Sequence, residues 1–211
     1  MSTVGSLDRW AATFPDGLVP LIITLVLDTW RDLSKPARTE RETVIARSLR
    51  NALRQAKNLT RTLPCAIDRE VVEDDPQTAE EKGRIDIRFI HGHNESVYFA
   101  FECKRLNVPA NGGCRSLARE YVEEGMLRFV TGKYAAGLSQ GGMIGFIMDG
   151  NSMAAVTNVD AKVKSLLRLL RMASGNGLAN SSLFPAKRAV RETKHSRRSP
   201  ALTLHHVFLD V

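Results

Sequence analysis

The spacing of apolar positions changes along the chain and divides it into predicted helices and strands. Leu18–Trp30 is apolar on nearly all sides, which is typical of a buried helix, and Ser34-Lys35-Pro36 would end it. From about Thr39 to Leu59 the apolar residues recur at helical spacing, which predicts a second helix. The apolar content of Cys65–Val72, largely β-branched, predicts the first strand.

The later part of the chain keeps alternating between helical and strand patterns. We predict a helix from about Arg115 to Val130, a strand over Met143–Met148, an amphipathic helix over Met153–Met172 and a closing strand over Leu202–Val211. Helices alternating with strands in this order predict an α/β fold, with a mixed central sheet flanked by helices.

The stretch Gly83–Asn107 predicts a central hairpin with polar side chains on one face. Isoleucine and phenylalanine alternate with charged residues around Asp86, and after a polar turn Val97–Leu106 is almost continuously apolar. Successive side chains of a strand point to opposite faces, so Glu102 and Lys104 share a face. We therefore expect two carboxylates and a lysine to converge on neighbouring strands.

Carboxylates inside such a hairpin need a partner, because acidic side chains are rarely buried unless paired or bound to a metal. Mg²⁺ accepts oxygen ligands from one or two carboxylates and keeps several waters. A salt bridge between Glu102 and Lys104 on the sheet surface is the structural alternative.

With Asp86 on one strand and Glu102-Cys103-Lys104 on the next, the chain resembles the PD-(D/E)XK, or restriction-endonuclease-like, nuclease superfamily. Isoleucine stands where the motif has proline. The resemblance implies an αβββαβ core in a single nuclease-like domain spanning 1–211. Within it we expect a helical lead-in over 1–37, a catalytic core over 38–150, and a helix, basic loop and closing strand over 151–211.

The resemblance also implies roles for individual residues. Asp86, Glu102 and the main-chain carbonyl of Cys103 would bind Mg²⁺ or Mn²⁺. Lys104 would position or help deprotonate the attacking water and stabilise the pentacovalent transition state. Glu42, on the inward face of the second helix, would complete the metal shell or hold a second ion. A solvated carboxylate favoured by the helix dipole is an equal alternative for Glu42.

Basic residues form a second group of candidates. The net charge of +7 and the pI near 9.6 suit a polyanionic partner. In the superfamily the helix after the motif presents a basic side chain to the phosphate, and Arg128 could do so, or could pair with Glu124. Between 186 and 200 the chain carries six basic residues against one Glu, which predicts contacts to a DNA backbone or else a solvated loop. These residues are Lys187, Arg188, Arg191, Lys194, Arg197 and Arg198.

Other features bound the cellular setting. Three cysteines without paired spacing favour a reducing compartment. The longest apolar run is half a membrane span, and we find no signal-peptide pattern, so we expect a cytoplasmic protein with no membrane partner.

The resemblance implies a DNA nuclease, in a bacterial or mobile-element role in defence or DNA processing. A homodimer or a complex within a multi-component system is compatible with it. A non-catalytic nucleic-acid-binding module and a basic structural subunit are the alternatives.

Overall fold

The computed structural model describes residues 13–60, 63–68, 71–74, 81–197 and 200–211. Its helices are α1 (Leu18–Asp32), α2 (Glu42–Thr60), α3 and α4 (Ser152–Ser165). We use α3 for three joined parts, Ala118–Glu120, the π-helical Tyr121–Met126 and Leu127–Val130. The strands are β1 (Ala66–Asp68), β2 (Val71–Asp74), β3 (Glu81–Ile85), β4 (Ile87–Ile90), β5 (Tyr98–Leu106), β6 (Val108–Ala110), β7 (Gly113–Arg115), β8 (Gln140–Ile147), β9 (Ala179–Asn180), β10 (Val190–His195) and β11 (Leu202–Asp210).

Seven of these strands form one mixed sheet in the order β1-β4-β5-β8-β11-β10-β9. The β1–β4 and β4–β5 pairs are antiparallel. Strands β5 and β11 both run parallel to β8, which lies between them. The β11–β10 and β10–β9 pairs are antiparallel again. The prediction of an α/β fold with a mixed sheet is therefore confirmed. The sheet contains strands from both halves of the chain. The predicted catalytic core over 38–150 and the segment over 151–211 therefore belong to the same sheet.

Each face of the sheet is covered by a pair of helices. On one face α1 and α2 pack against the phenylalanines of β5, including Phe99 and Phe101. Apolar residues of α3 and α4 cover the other face, together with Met143 and Phe208. The strands at the centre are buried on both sides, which explains why Val97–Leu106 reads as nearly continuous apolar sequence. Among helices in the described ranges, none has both the length and the apolar character that a membrane span requires.

The largest differences from the predicted elements occur where the chain changes direction. The single predicted strand over Cys65–Val72 is two strands, and β2 pairs with β3 outside the main sheet. The helix predicted to reach Met172 ends at Ser165, and turns follow it. Leu170, within those turns, is fully buried, so its apolar character belongs to the core rather than to a longer helix.

The basic segment also differs from its predicted form. It was predicted as a loop, but Val190–His195 is β10, hydrogen-bonded to β11 on one side and β9 on the other. Glu192, Thr193 and His195 are buried, while Lys194 is exposed. Glu192 and Thr193 are adjacent and therefore point to opposite faces, so β10 is covered on both faces at this point.

Candidate metal centre

Asp86 lies at the bend between β3 and β4, beside the strand that carries Glu102. Ile87 pairs with Phe101 in the antiparallel β4–β5 ladder, which places Asp86 next to the following residues of β5. The main-chain N–H of Cys103 donates a hydrogen bond of 2.7 Å to Oδ2 of Asp86. The hairpin therefore fixes Asp86 against Glu102-Cys103-Lys104, although Asp86 lies at a bend and not within a strand as predicted.

Glu102 is the most buried acidic residue of the site, with 1% of its surface exposed. Its Oε1 accepts hydrogen bonds from Nζ of Lys104 at 2.8 Å and from Nη1 of Arg128 at 2.7 Å. Within the described part of the chain, no donor reaches its other oxygen, Oε2. A buried carboxylate oxygen without a donor is costly, so this atom is suited to a ligand.

The ammonium group of Lys104 lies among oxygens from three residues. Its Nζ is 3.0 Å from Oε1 of Glu42, 2.8 Å from Oε1 of Glu102 and 3.1 Å from the carbonyl oxygen of Cys103. All three residues were predicted to bind metal. A positive charge thus already occupies an oxygen-lined position at the centre of the candidate site.

Glu42 is the first residue of α2 and its side chain reaches β5 instead of remaining in solvent. One oxygen pairs with Lys104, and the other accepts a hydrogen bond of 3.0 Å from the main-chain N–H of Arg105. The guanidinium of Arg105 in turn donates to the carbonyl oxygen of Glu40, at the entry to α2. These contacts bring Glu42 into the site, as the inward-facing alternative predicted.

Arg128 comes from α3 and also points into the site. Its ion pair is with Glu102 and not with Glu124, the helix neighbour considered from the sequence. The same Nη1 donates to the hydroxyl of Tyr134 at 2.8 Å, and that hydroxyl donates to the carbonyl oxygen of Arg84. Arg128 is thus held between β5, the loop after α3 and the end of β3.

The close approach of α3 to β5 depends on a glycine. A Cβ added at Gly125 would overlap the methyl group of Met143 and would lie 3.6 Å from Cγ of Lys104. Gly125 belongs to the π-helical part of α3, a form that occurs mostly as single turns and often at functional sites. This segment brings Arg128 and the lysine stem to the same side of the sheet.

Burial changes the acid–base properties of these groups. It raises the pKa of Asp86 to about 6, although the hydrogen bond from Cys103 opposes the change. Burial also raises the pKa of Glu102 to about 7, against the nearby charge of Lys104. For Lys104 burial lowers the pKa, but the charges of Glu102 and Glu42 outweigh it and the net change is upward. The lysine therefore stays protonated, and a cation bound by the acids would displace protons.

The residues present fit a hard divalent cation by their chemistry. Asp86, Glu102 and the Cys103 carbonyl offer oxygen ligands, and Oε2 of Glu102 lacks a donor. In the described residues no three Asp, Glu, His or Cys side chains form a ready cluster for a metal. The ammonium of Lys104 lies between the carboxylates of Glu42 and Glu102 and pairs with both.

The basic residues of this segment that the structure describes differ in their surroundings. Lys187 and Arg188 are exposed before β10, and Lys194 pairs with Glu192 at 3.4 Å. Arg191 donates to Oδ1 of Asn180. Arg198 lies outside the described residues.

Arg197 has a structural role instead. Its guanidinium donates to the carbonyl oxygens of Phe129 at 3.2 Å, Ala135 at 3.1 Å and Leu138, around the end of α3. These carbonyls engage both terminal nitrogens of the guanidinium, so we leave Arg197 out of the proposed nucleic-acid contacts. The position of Arg197 in a basic run of the sequence did not indicate this structural role.

Sequence reasoning also missed a chain of buried polar groups behind α3. Nδ1 of His195 lies 2.7 Å from the carbonyl oxygen of Leu170, and its Nε2 contacts the hydroxyl of Thr193. That hydroxyl contacts Nε2 of His206, whose Nδ1 lies 3.0 Å from the hydroxyl of Tyr121. Since a carbonyl only accepts, every donor in the chain points from Tyr121 toward Leu170. The alternation of buried positions on β10 and β11 was the available signal.

Comparison of the chain with protein-family models, with curated proteins and with solved structures returned no match.

Proposed function

We propose that this chain is a Mg²⁺- or Mn²⁺-dependent nuclease that hydrolyses phosphodiester bonds of DNA, with a bacterial or mobile-element role in defence or DNA processing. The carrying observation is Glu102, a fully buried carboxylate with one donor-free oxygen beside Asp86 and the Cys103 carbonyl. Such an arrangement is unfavourable for an ordinary core and favourable for a cation site. If the strands of the two small sheets are left aside, the order α2-β1-β4-β5-α3-β8 supports the αβββαβ core that the resemblance implies.

Each residue has a distinct task in the proposed reaction. Asp86, Glu102 and the Cys103 carbonyl would hold the ion, which would polarise the phosphate and activate a bound water. Lys104, protonated because its pKa is raised, donates to a phosphate oxygen and stabilises the negative charge of the transition state. Of the roles expected for Lys104, we therefore retain stabilisation of the transition state and not deprotonation of the water. Arg128 positions Glu102 through the hydrogen bond to Oε1.

A non-catalytic nucleic-acid-binding module is the second candidate, and one observation favours it. Lys104 neutralises Glu42 and Glu102 without any metal, so the three side chains also form a complete ion-pair cluster. In that case the cluster would hold α2 against β5, and DNA binding would not depend on Mg²⁺.

Metal-dependent cleavage separates the two candidates. We would incubate the protein with supercoiled, linear and single-stranded DNA, and with RNA, in Mg²⁺, Mn²⁺ or EDTA. The proposal expects nicking or degradation of DNA only with the metals, and its loss in Glu102→Gln. Glu95→Gln is the matched control, because Glu95 is exposed in the β4–β5 turn and should keep full activity. Metal-independent DNA binding without cleavage in any arm would favour the module.

A further inference from the structure

A groove of about 560 Å³ lies between the first turns of α4 and the strands β10 and β11, away from the metal centre. Its volume is within the range of about 300–1,000 Å³ that small-molecule sites occupy. Arg191, on the wall of the groove, lies opposite His206 on the neighbouring strand. His206 lies opposite Met143, and Met143 lies opposite Glu102. Three strand spacings of about 4.8 Å place the Cα atoms of Arg191 and Glu102 roughly 14 Å apart.

One side of the groove is apolar. Met153 and Val156 contribute it from α4, and Phe208 contributes it from β11. Met153 is 80% exposed, whereas Val159 and Val163 of the same helix are buried. Such a surface suits the flat face of an aromatic ring, which contacts methionine sulfur favourably. Phe208 is only 3% exposed and stacks on Tyr121, so it forms the floor beneath the exposed methionine.

The other side of the groove carries two arginines, Arg188 and Arg191. In the described part of the chain, neither is within ion-pair distance of a carboxylate. Arg191 is positioned by its hydrogen bond to Asn180, yet its Nε is buried with no acceptor among the described residues. A buried guanidinium N–H without an acceptor, on the wall of a groove, indicates that an anion completes it.

Two further polar groups define the rest of the ligand. The N-terminus of α4, at Ser152, opens at the groove, and its dipole favours negative charge. Asp210 lines the groove too, with Oδ1 accepting from the Ser152 hydroxyl. A second carboxylate oxygen beside an apolar wall suits an N–H donor such as an exocyclic amine.

We propose that this groove binds a nucleotide, with its phosphate on Arg188 and Arg191, its base against Met153, Val156 and Phe208, and a base amine on Asp210. The chemistry is that of a phosphate joined to an amine-bearing base. A free mononucleotide and a nucleotide within a DNA strand both supply it. The proposal is independent of the metal centre, since none of these residues belongs to it.

The test is a binding titration in EDTA, with the Glu102→Gln protein so that cleavage plays no part. Calorimetry would compare adenosine 5′-monophosphate, adenosine, inorganic phosphate and a five-residue deoxyadenosine oligonucleotide. We expect the monophosphate to bind more tightly than adenosine or phosphate alone. Arg191→Gln should weaken its binding at least tenfold and Met153→Gln several-fold. Arg168→Gln, at an exposed residue near the end of α4, should leave it unchanged.

Each outcome decides the proposal or the source of the ligand. Binding of the oligonucleotide but not the monophosphate, with the same loss in Arg191→Gln and Met153→Gln, identifies a nucleotide of a strand. The reverse identifies a free nucleotide. Absence of binding by both, or monophosphate binding insensitive to both substitutions, overturns the proposal. Equal affinity for inorganic phosphate and the monophosphate also overturns it, because the apolar wall would then contribute nothing. None of these results bears on the cleavage activity of the unmodified protein, so the proposed nuclease function is tested separately.

Discussion

The position of the Lys104 ammonium yields the sharpest prediction about the metal centre. It contacts Oε1 of Glu42, Oε1 of Glu102 and the Cys103 carbonyl at 2.8–3.1 Å, and leaves Oε2 of Glu102 free. A divalent cation that binds the Cys103 carbonyl and Glu42 competes with the ammonium for these two oxygens and is repelled by its charge. Metal binding to the unmodified protein should therefore shift the ammonium, and Lys104→Met removes that competition.

Two effects of opposite sign follow from Lys104→Met. Without metal, Glu102 loses one buried partner and Glu42 another, so the free energy of unfolding should fall by ~3 kcal/mol, at the low end for breaking a buried ion pair. The Mn²⁺ affinity should rise tenfold to a hundredfold, equivalent to ~1.4–2.8 kcal/mol, since part of that ion-pair energy opposes the metal in the unmodified protein. Cleavage should nevertheless be lost, because no ammonium remains to stabilise the transition state.

Calorimetric titration with Mn²⁺ and urea unfolding with and without Mn²⁺ would measure both effects. Lys133→Met is the control, since Lys133 is exposed in the loop after α3. It should change neither the Mn²⁺ affinity nor the stability. Equal Mn²⁺ affinities for the unmodified protein and Lys104→Met would refute the reasoning, as the ammonium would then not occupy the position of the metal.

Three further predictions concern other parts of the molecule. Asp86→Asn keeps an acceptor for the Cys103 N–H, so the fold should persist. Cleavage and the Mn²⁺-dependent rise in melting temperature should disappear. Retained stabilisation by Mn²⁺ would contradict the assignment of Asp86 as a metal ligand. Arg197→Gln should lower the free energy of unfolding by ~1.5–3 kcal/mol and leave the salt dependence of DNA binding unchanged, whereas Arg188→Gln should leave stability unchanged and reduce the salt slope by about one. Burial lowers the pKa of His205 to about 4, from about 6.5 when unfolded, so the unfolded state binds more protons between these values and stability is lost as the pH falls. This histidine should account for ~2 kcal/mol of lost stability between pH 7 and pH 5, seen as a shallower pH dependence of urea unfolding in His205→Gln; identical pH dependence would exclude the effect. The acids of the metal centre, with raised pKa values, change stability in the opposite direction, and the comparison with the variant removes their contribution.

The hairpin and its polar residues were predicted from the sequence more accurately than the surrounding helices and strands. Alternation around Asp86 and the apolar run of β5 were enough to predict that Asp86, Glu102 and Lys104 converge, because strand periodicity fixes which side chains share a face. The end of α4 and the separation of β1 from β2 were not predictable in this way. Leu166 and Leu170 continue the helical spacing, and only the packing of the turns against the sheet decides that the helix stops.

The partners of the charged side chains were the least predictable part. Arg128 has Glu124 one helical turn away, and local spacing favours that pair. The tertiary fold instead brings Glu102 to it, where burial makes the interaction stronger than it would be in water. In the same way, the carbonyls that hold Arg197 are supplied by a bend of the chain more than fifty residues earlier.

The register of the β4–β5 ladder has a practical consequence for engineering this protein. Ile87 lies opposite Phe101 next to the acids, whereas Ile90 pairs with Tyr98 at the far end, close to the exposed turn. The positions of Asp86 and Glu102 depend on this pairing and not on the length of the turn. A peptide tag or a fluorescent label inserted between Gly92 and Glu95 should therefore leave the centre assembled, and new chain ends could be opened at the same place.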